Sequence, residues 1–434
     1  MIDDNNKDLS EYSEEVQNSF CILPFTHTFL NTEGDVFPCC VSWDPERTSL
    51  IGYLKDATLE EHFNSDIMKQ LRLDLMSGKR RDDFCSKCYK SEDAGFPAGR
   101  HGVNSDLAHL IEDSISKVRS DGYIEPIIKS WDIRYSNLCN LKCRSCGNIY
   151  STTWSKEDSE YVDYHDYSEI KAFPPGTDPL ENQYNNVEKI YFAGGEPLIM
   201  PEHYATLSKI IKLGRADKVR LVYNTNMTKL NYNKNYLPDF WKEFKKVTLG
   251  LSIDSFGDRA NYIRHGSVKW NKIETNIKEM SKYAKKEGSN IDYFFSPTVS
   301  LLNVYTLTDL HQYLFDSDLI VGIDSILLNI LHGPADLSML NLPRNIKDQI
   351  QLKIEKHISW IEDNCGTERS INQFKSLAKV LDTTLPDVES NIRTFIHNTR
   401  DIDRRRNENF PDTFPEYKDW WEEITKNSIP TVNI

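Results

Sequence analysis

The side chains best suited to do chemistry are Cys139, Cys143 and Cys146, spaced C-x3-C-x2-C within the run Asn137-Leu-Cys-Asn-Leu-Lys-Cys-Arg-Ser-Cys146. Three thiolates on so short a loop can hold three irons of a four-iron cluster and leave the fourth iron open. An open coordination position is the mark of a catalytic metal site, because a structural site closes all its positions. The competing reading is a zinc site that borrows one more ligand from elsewhere. The other cysteines are Cys21, Cys39, Cys40, Cys85, Cys88 and, alone in the second half, Cys365. Grouped cysteines in a chain with no export signal point to metal or cluster ligation ahead of disulfides.

The bulk properties narrow the class. A formal charge of −14 repels phosphate backbones, which argues against a general nucleic-acid binder. With 39% hydrophobic and 11% aromatic residues, the 434-residue chain can bury ordinary cores, enough for two or three packed units. The opening segment is polar and acidic, without the basic, apolar and small-residue zones of a signal peptide. No apolar run reaches the roughly 18 residues of a membrane span. A soluble, cytoplasmic protein with no membrane partner is expected.

Four stretches are expected to position the chemistry: a polar tail over 1–17, a small α+β region over 18–100, an alternating region over 127–330, and a charged, mostly helical region over 331–434. In the second stretch, Cys21–Phe29 and Asp35–Val41 read as strands joined by a turn at Asn31-Thr-Glu-Gly34. Thr58-Leu-Glu-Glu61 is a capping box, opening a helix whose Leu59, Phe63, Ile67 and Leu71 recur along one face until Gly78. In the alternating region, strands are expected at Ser130–Ser136, Val187–Ala193, Lys218–Tyr223, Val247–Asp254, Tyr293–Val299 and Ile320–Leu328. Helices are expected near Pro201–Leu213, Leu237–Lys245, Lys269–Lys286 and Tyr305–Phe315. Such alternation predicts right-handed βαβ units around a parallel sheet or open barrel. The cysteine loop then follows the first of these strands at its carboxyl end, where barrel chemistry concentrates.

Here the chain resembles the radical SAM (S-adenosylmethionine) superfamily, whose three-cysteine motif Cys139, Cys143 and Cys146 match, with Ser145 where that family usually has a bulky residue. Tyr191-Phe-Ala-Gly194-Gly195-Glu196-Pro197 is similar to the superfamily's GGEP motif. The resemblance implies that Gly194 and Gly195 admit the methionine amino group and that Glu196 fixes its charge; a bare Gly-Gly-Glu-Pro is otherwise a turn. Asn224 and Asn226 resemble the polar strand end near the ribose and methionine, with turn residues as the alternative. Ser252-Ile-Asp254 looks like the family's S-x-D stretch, and Arg264 stands where relatives place an arginine against the methionine carboxylate, a task its planar fork suits. The alternatives are a helix N-cap for Asp254 and a surface ion pair for Arg264. Ser296-Pro-Thr-Val299 is expected to line the same cavity.

Gly34-x4-Cys39 and Cys85-x-x-Cys88 are similar to the twitch and SPASM auxiliary-cluster domains of that superfamily. That likeness implies a second [4Fe–4S] cluster held by Cys21, Cys39, Cys85 and Cys88; a four-cysteine zinc knuckle uses the same ligands. Cys40 is then a spare thiol, a substitute ligand or a core residue. In better-known relatives this domain follows the barrel, whereas here it precedes it. The expected fold class is thus α/β: a partial (β/α)6 radical SAM barrel, an N-terminal α+β twitch-like domain and a helical C-terminal region.

The resemblance implies reductive cleavage of SAM to a 5′-deoxyadenosyl radical, which takes hydrogen from a substrate C–H bond. It implies a peptide or small-molecule substrate, a net oxidation or modification, and an electron donor such as flavodoxin or ferredoxin. Two alternatives stand beside it: a redox-neutral radical epimerase or isomerase, and a zinc-stabilised binding module without radical chemistry. Cys365 reads as a bland thiol, with hydrogen-atom donation as its alternative, and His332-Gly-Pro334 as a loop.

Overall fold

The structure is a computed structural model that describes residues 9–44, 46–93, 98–161 and 169–426, so the first eight residues of the expected tail lie outside it. The chain divides into two compact units. The first comprises Met1–Leu138, Tyr164–Tyr223 and Asp239–Val247; the second comprises Cys139–Asp163, Asn224–Pro238 and Thr248–Ile434.

The first unit is built on strands β1 (His27–Leu30), β2 (Asp35–Phe37), β3 (Gly52–Tyr53), β4 (Ser130–Ile133), β5 (Lys189–Phe192) and β6 (Arg220–Thr225), in the order β6-β5-β4-β1-β2-β3. β1, β4, β5 and β6 are parallel, while β1, β2 and β3 run antiparallel. One face of the parallel strands is fully enclosed, with Trp131, Ile133, Ile190, Phe192 and Leu221 buried, whereas Lys189, Tyr191, Arg220 and Val222 on the alternate positions of β5 and β6 are half-buried. The expected turn forms: Asn31 Oδ1 accepts the amides of Glu33 and Asp35 at 2.9 Å each, and Gly34 takes a φ of +82°. A side chain at Gly34 would also collide with the Ala172 carbonyl, 2.4 Å from its Cβ position.

Three expectations in this unit are corrected. Cys21–Phe29 is not one strand, because Leu23–Thr26 makes a helical turn before β1. Pro24 stands in its first turn, where a missing N–H costs nothing. The return strand stops at Phe37 because Pro38 has no amide for the ladder. The capping box at Thr58 and Glu61 is present, yet its helix ends at Phe63 and a new one, Asp66–Met76, starts on the Ser65 cap. That restart turns Ile67 outward, 42% exposed, and gives the core face to Met68, Leu71 and Leu75.

The second unit carries the hairpin β7 (Asn231–Tyr232) and β8 (Asn235–Tyr236), the carboxyl-terminal part of β9 (Lys246–Leu251), β10 (Ile291–Phe295), and the short parallel pair β11 (Thr298–Val299) and β12 (Asn329–Ile330). Leu249 and Leu251 are fully buried, and Asp254, just beyond the strand, is 3% exposed. Ile320–Leu328 is not a strand. It keeps one bridge, Phe295 to Ile326. Its middle folds as a turn closed by the Ser325 amide on the Gly322 carbonyl, and Asp324 is drawn away to accept from the Thr367 amide and the Ser370 hydroxyl. The C-terminal region is helical as expected, over Arg344–Asp363, Glu368–Leu381, Val388–Arg406 and Lys418–Lys426.

Candidate active site and auxiliary cysteine centre

In the second unit the loop carrying Cys139, Cys143 and Cys146 is fixed by its backbone. The amides of Lys142 and Arg144 bond the carbonyls of His265 and Ile263, both at 2.8 Å, and Leu141 bridges Gly266. A Cβ at Gly266 would stand 2.4 Å from the Leu141 side-chain Cδ2 and 3.0 Å from the Asn140 carbonyl oxygen, so the two segments pack closely there. The Cys139 carbonyl accepts the Thr153 hydroxyl at 2.5 Å, and the Cys143 carbonyl accepts the Trp154 indole N–H at 2.7 Å. Cys143 is buried and Cys146 exposed.

The electrostatics separate these thiols from ordinary ones. A hydrogen bond from Cys146 lowers the Cys143 thiol below its usual range, with the Arg264 guanidinium adding to the effect against the cost of burial. Arg264 Nη1 lies 3.8 Å from Cys143 Sγ. Arg264 is no surface ion pair: its Nε sits 2.7 Å from Asp254, whose side chain is 2% exposed. Burial alone would lower the guanidinium's pKa, but Asp254 and Cys143 raise it. Asp254 is no N-cap either, for Phe256 holds that position and Asp254 accepts the Thr298 amide at 2.8 Å. Asn226 is buried, with Nδ2 3.1 Å from Asn140 Oδ1 and 4.0 Å from Cys139 Sγ. Asn224 is exposed, and the Ser252 amide bonds the Thr225 carbonyl at 2.8 Å.

A charged brace that short motifs do not reveal surrounds this loop. Arg144, its side chain 3% exposed, pairs with Asp403 and, at 2.6 Å, Glu408, and its guanidinium lies over the Tyr262 ring at 3.6 Å. Glu408 also meets His265 at 2.6 Å. Glu157, buried, pairs with Lys142 and with Arg406. A cavity of about 340 Å³ opens beside Cys146, lined in part by Arg144, Trp154, Asp336 and Asn398. Ser296 is bonded by Asn329 Nδ2 at 2.6 Å. Cys365 is exposed, just past the helix Arg344–Asp363.

The Gly194–Glu196 turn belongs to the first unit. The Glu196 amide bonds the Leu138 carbonyl at 2.8 Å, and a Cβ on Gly195 would stand 2.2 Å from that same oxygen. Glycine is therefore obligatory where β5 ends against the chain leaving β4. Glu196 is 1% exposed and its carboxylate accepts the Leu198 amide at 3.1 Å, which fixes its position.

Also in the first unit, Cys85 and Cys88 lie one turn apart on the helix Asp82–Asp93, Cys21 precedes the turn Leu23–Thr26, and Cys39 follows β2. Cys21, Cys39, Cys85 and Cys88 are within electrostatic reach of one another. Burial raises the Cys21 and Cys39 thiols, and carries Cys85 up to about 12 with Cys39 and Cys88 contributing. Cys40 faces elsewhere, towards Asp132 and Arg134. Among the described residues no three His, Cys, Asp or Glu side chains close around a single ion. The donor sets, three thiols on one loop and four from three segments, suit thiolate-ligated iron–sulfur clusters.

Residues 133–300 match the family model described as Radical SAM superfamily, and residues 21–89 match SPASM, an iron–sulfur cluster-binding domain. Residues 133–300 thus carry a radical SAM domain, in keeping with the α/β partial barrel of that superfamily. More narrowly, the SPASM match over residues 21–89 precedes the radical SAM match in the sequence. Such a barrel binds a [4Fe–4S] cluster with SAM, and a SPASM domain binds auxiliary iron–sulfur clusters. Solved structures of a protein designated anSMEcpe with bound AdoMet align with a TM-score of 0.39 at 16% identity, covering 54% of this chain and 62% of that one. Its form with AdoMet and the peptide Kp18Cys aligns at 0.38 and 17%, over 54% and 62%. This chain thus spans less than two thirds of those chains. No curated protein matches it. No helix among the described residues is long and apolar enough to cross a membrane.

Proposed function

We propose that this chain removes hydrogen from an unreactive C–H bond of a peptide or small polar metabolite and completes a net oxidation or modification. The observation that carries the reading is the three-thiol loop with Arg264 beside Cys143, held there by Asp254. When bound, the cluster and SAM supply a 5′-deoxyadenosyl radical. Cys139, Cys143 and Cys146 would hold the irons, and Asn226 and Thr153 hold the loop that carries them. Gly194 and Gly195 would let backbone approach the methionine amino group while Glu196 meets its charge; Asn224, Asn226 and Ser252 would line the ribose and methionine side. Arg264, oriented by Asp254, would face the methionine carboxylate. Cys21, Cys39, Cys85 and Cys88 would hold an auxiliary [4Fe–4S] cluster suited to take the electron left on the substrate. The division into 18–100, 127–330 and 331–434, a cytoplasmic setting, and a flavodoxin or ferredoxin as electron donor belong to the same reading.

Iron and sulfide counted after anaerobic purification should come to about eight of each per chain. Cys85→Ala protein that keeps the first cluster should still cleave SAM on reduction but stop turning over substrate. Normal turnover by that variant would remove the oxidative role.

A further inference from the structure

The helix Val388–Arg406 in the second unit carries charge that none of this chemistry uses. Phe395, Ile396 and Thr399 bury one of its faces. A second face, with Asn398, Asp401, Ile402 and Arg405, lines the cavity of about 340 Å³ beside Cys146. On the third, Arg393, His397, Arg400 and Arg404 recur at helical spacing, which at about 100° per residue sets them in one row. All four are exposed. At the helical rise the row is about 16 Å long. Arg393 pairs with Glu389 and Arg404 with Asp401, both at 2.6 Å and both within the helix. These arginines are 63% and 68% exposed, so such pairs contribute little and yield readily to a partner's carboxylate.

The whole chain carries a formal charge of −14, so an exposed row of cations is a local exception. An acidic protein is repelled by the bulk of the molecule and drawn to that row. Complementary charge of this kind raises encounter rates by about 10- to 1,000-fold at low salt. The position of the row gives it a use. Electron transfer between proteins slows steeply with distance, so a donor must seat where the metal-binding loop comes nearest the surface. Cys146 is exposed where Cys143 is buried, and the cavity beside it is walled by the same helix that carries the row. Arg405, on that wall, is held by Asp158 at 3.2 Å and Asp401 at 2.5 Å.

We infer that Arg393, His397, Arg400 and Arg404 form the docking surface for an acidic one-electron carrier protein, seated beside the cavity at Cys146. One electron leaves the carrier's reduced cofactor and enters the centre at the three-thiol loop, and no bond forms or breaks in that transfer. The inference rests on the enzyme reading above and gives its electron donor a place on this chain.

The test uses the full chain with both clusters and flavodoxin as the acidic probe, with binding followed anaerobically by calorimetry across a salt series. The wild type should bind, and the affinity should fall as salt rises. Arg400→Glu combined with Arg404→Glu should weaken binding at least about tenfold at low salt. Lys375→Glu combined with Lys379→Glu changes the net charge equally, at exposed positions of another helix in the same unit, and should weaken it less than about threefold. Release of 5′-deoxyadenosine driven by flavodoxin should follow binding. Titanium(III) citrate, which needs no docking, should drive the wild type and both variants alike, with iron content unchanged. Equal losses in the two double variants, or unchanged binding in the first, would overturn the inference. So would a wild-type dimer, seen by sedimentation, that the first pair of substitutions separates, since a second copy would then occupy the row. Wild-type protein that cleaves SAM with titanium(III) citrate yet does not bind flavodoxin would sink this surface alone, whereas no cleavage with either reductant would sink the enzyme reading.

Discussion

The two cysteine centres of this protein are built on opposite plans. In the second unit, three thiols share one eight-residue loop whose carbonyls are satisfied by Thr153 and Trp154 and whose flank is a charged brace. In the first, the thiols come from three separate segments beside an apolar core that includes Phe20, Phe25, Leu71 and Phe84, with Cys85 packed against it. The thiols respond accordingly. Cys143 is lowered by its bond from Cys146 and by Arg264, while burial raises Cys21 and takes Cys85 to about 12. On the proposed function, a loop flanked by paired charges suits a site that must admit a charged ligand, and an apolar enclosure suits a cluster that stores or passes an electron.

Breaking the comparison outright takes the largest change. Replacing Cys139, Cys143 and Cys146 with alanine should halve the iron from about eight to about four per chain and abolish 5′-deoxyadenosine release from SAM on reduction. Loss of all iron would mean that the two centres are not independent. The charged side is sharpened by Arg264→Lys, which keeps the charge and loses the fork. It should cost about 10- to 100-fold in SAM cleavage while leaving the iron count intact. An unchanged rate across SAM concentrations would remove Arg264 from the site.

Trp154→Phe removes the donor to the Cys143 carbonyl, a buried group whose loss of a partner costs about 1–3 kcal/mol. The first cluster should then bleach faster in air, seen in the visible spectrum, with the auxiliary cluster unaffected. The smallest effect concerns the fold beneath the glycine turn. His203 is fully buried, and burial takes its pKa down to about 3. The unfolded imidazole binds a proton near pH 6.5 while the native one stays neutral, so its contribution to stability is complete above pH 6.5 and erodes as pH falls towards 3. Urea melts of cluster-free protein should lose up to about 2 kcal/mol between pH 6.5 and 5 from this residue, a slope that His203→Gln removes.

What could be read from the sequence was local. The spacing of Cys139, Cys143 and Cys146, the Gly-Gly-Glu-Pro turn and the Thr58 capping box each depend on residues a few positions apart, and each lies on the element expected. Cys40 resisted assignment because its neighbours, Asp132 and Arg134, come from a strand far along the chain. The brace was invisible for the same reason: Arg144 meets Asp403 and Glu408 across 259 and 264 residues, and no pattern of spacing joins them. Ile320–Leu328 misled because its apolar residues mimic a strand while Asp324 is claimed by the helix after Thr367. Ile67 misled because a four-residue period was continued across the Ser65 cap.

The brace also orders events during synthesis. A nascent chain exposes its cysteine loop long before Asp403, Arg406 and Glu408 have been translated, and until they arrive Arg144 and Glu157 have no partners from the closing helix. The ion pairs that fix the loop are therefore completed only once residues 403–408 have been made, long after the cysteines they surround.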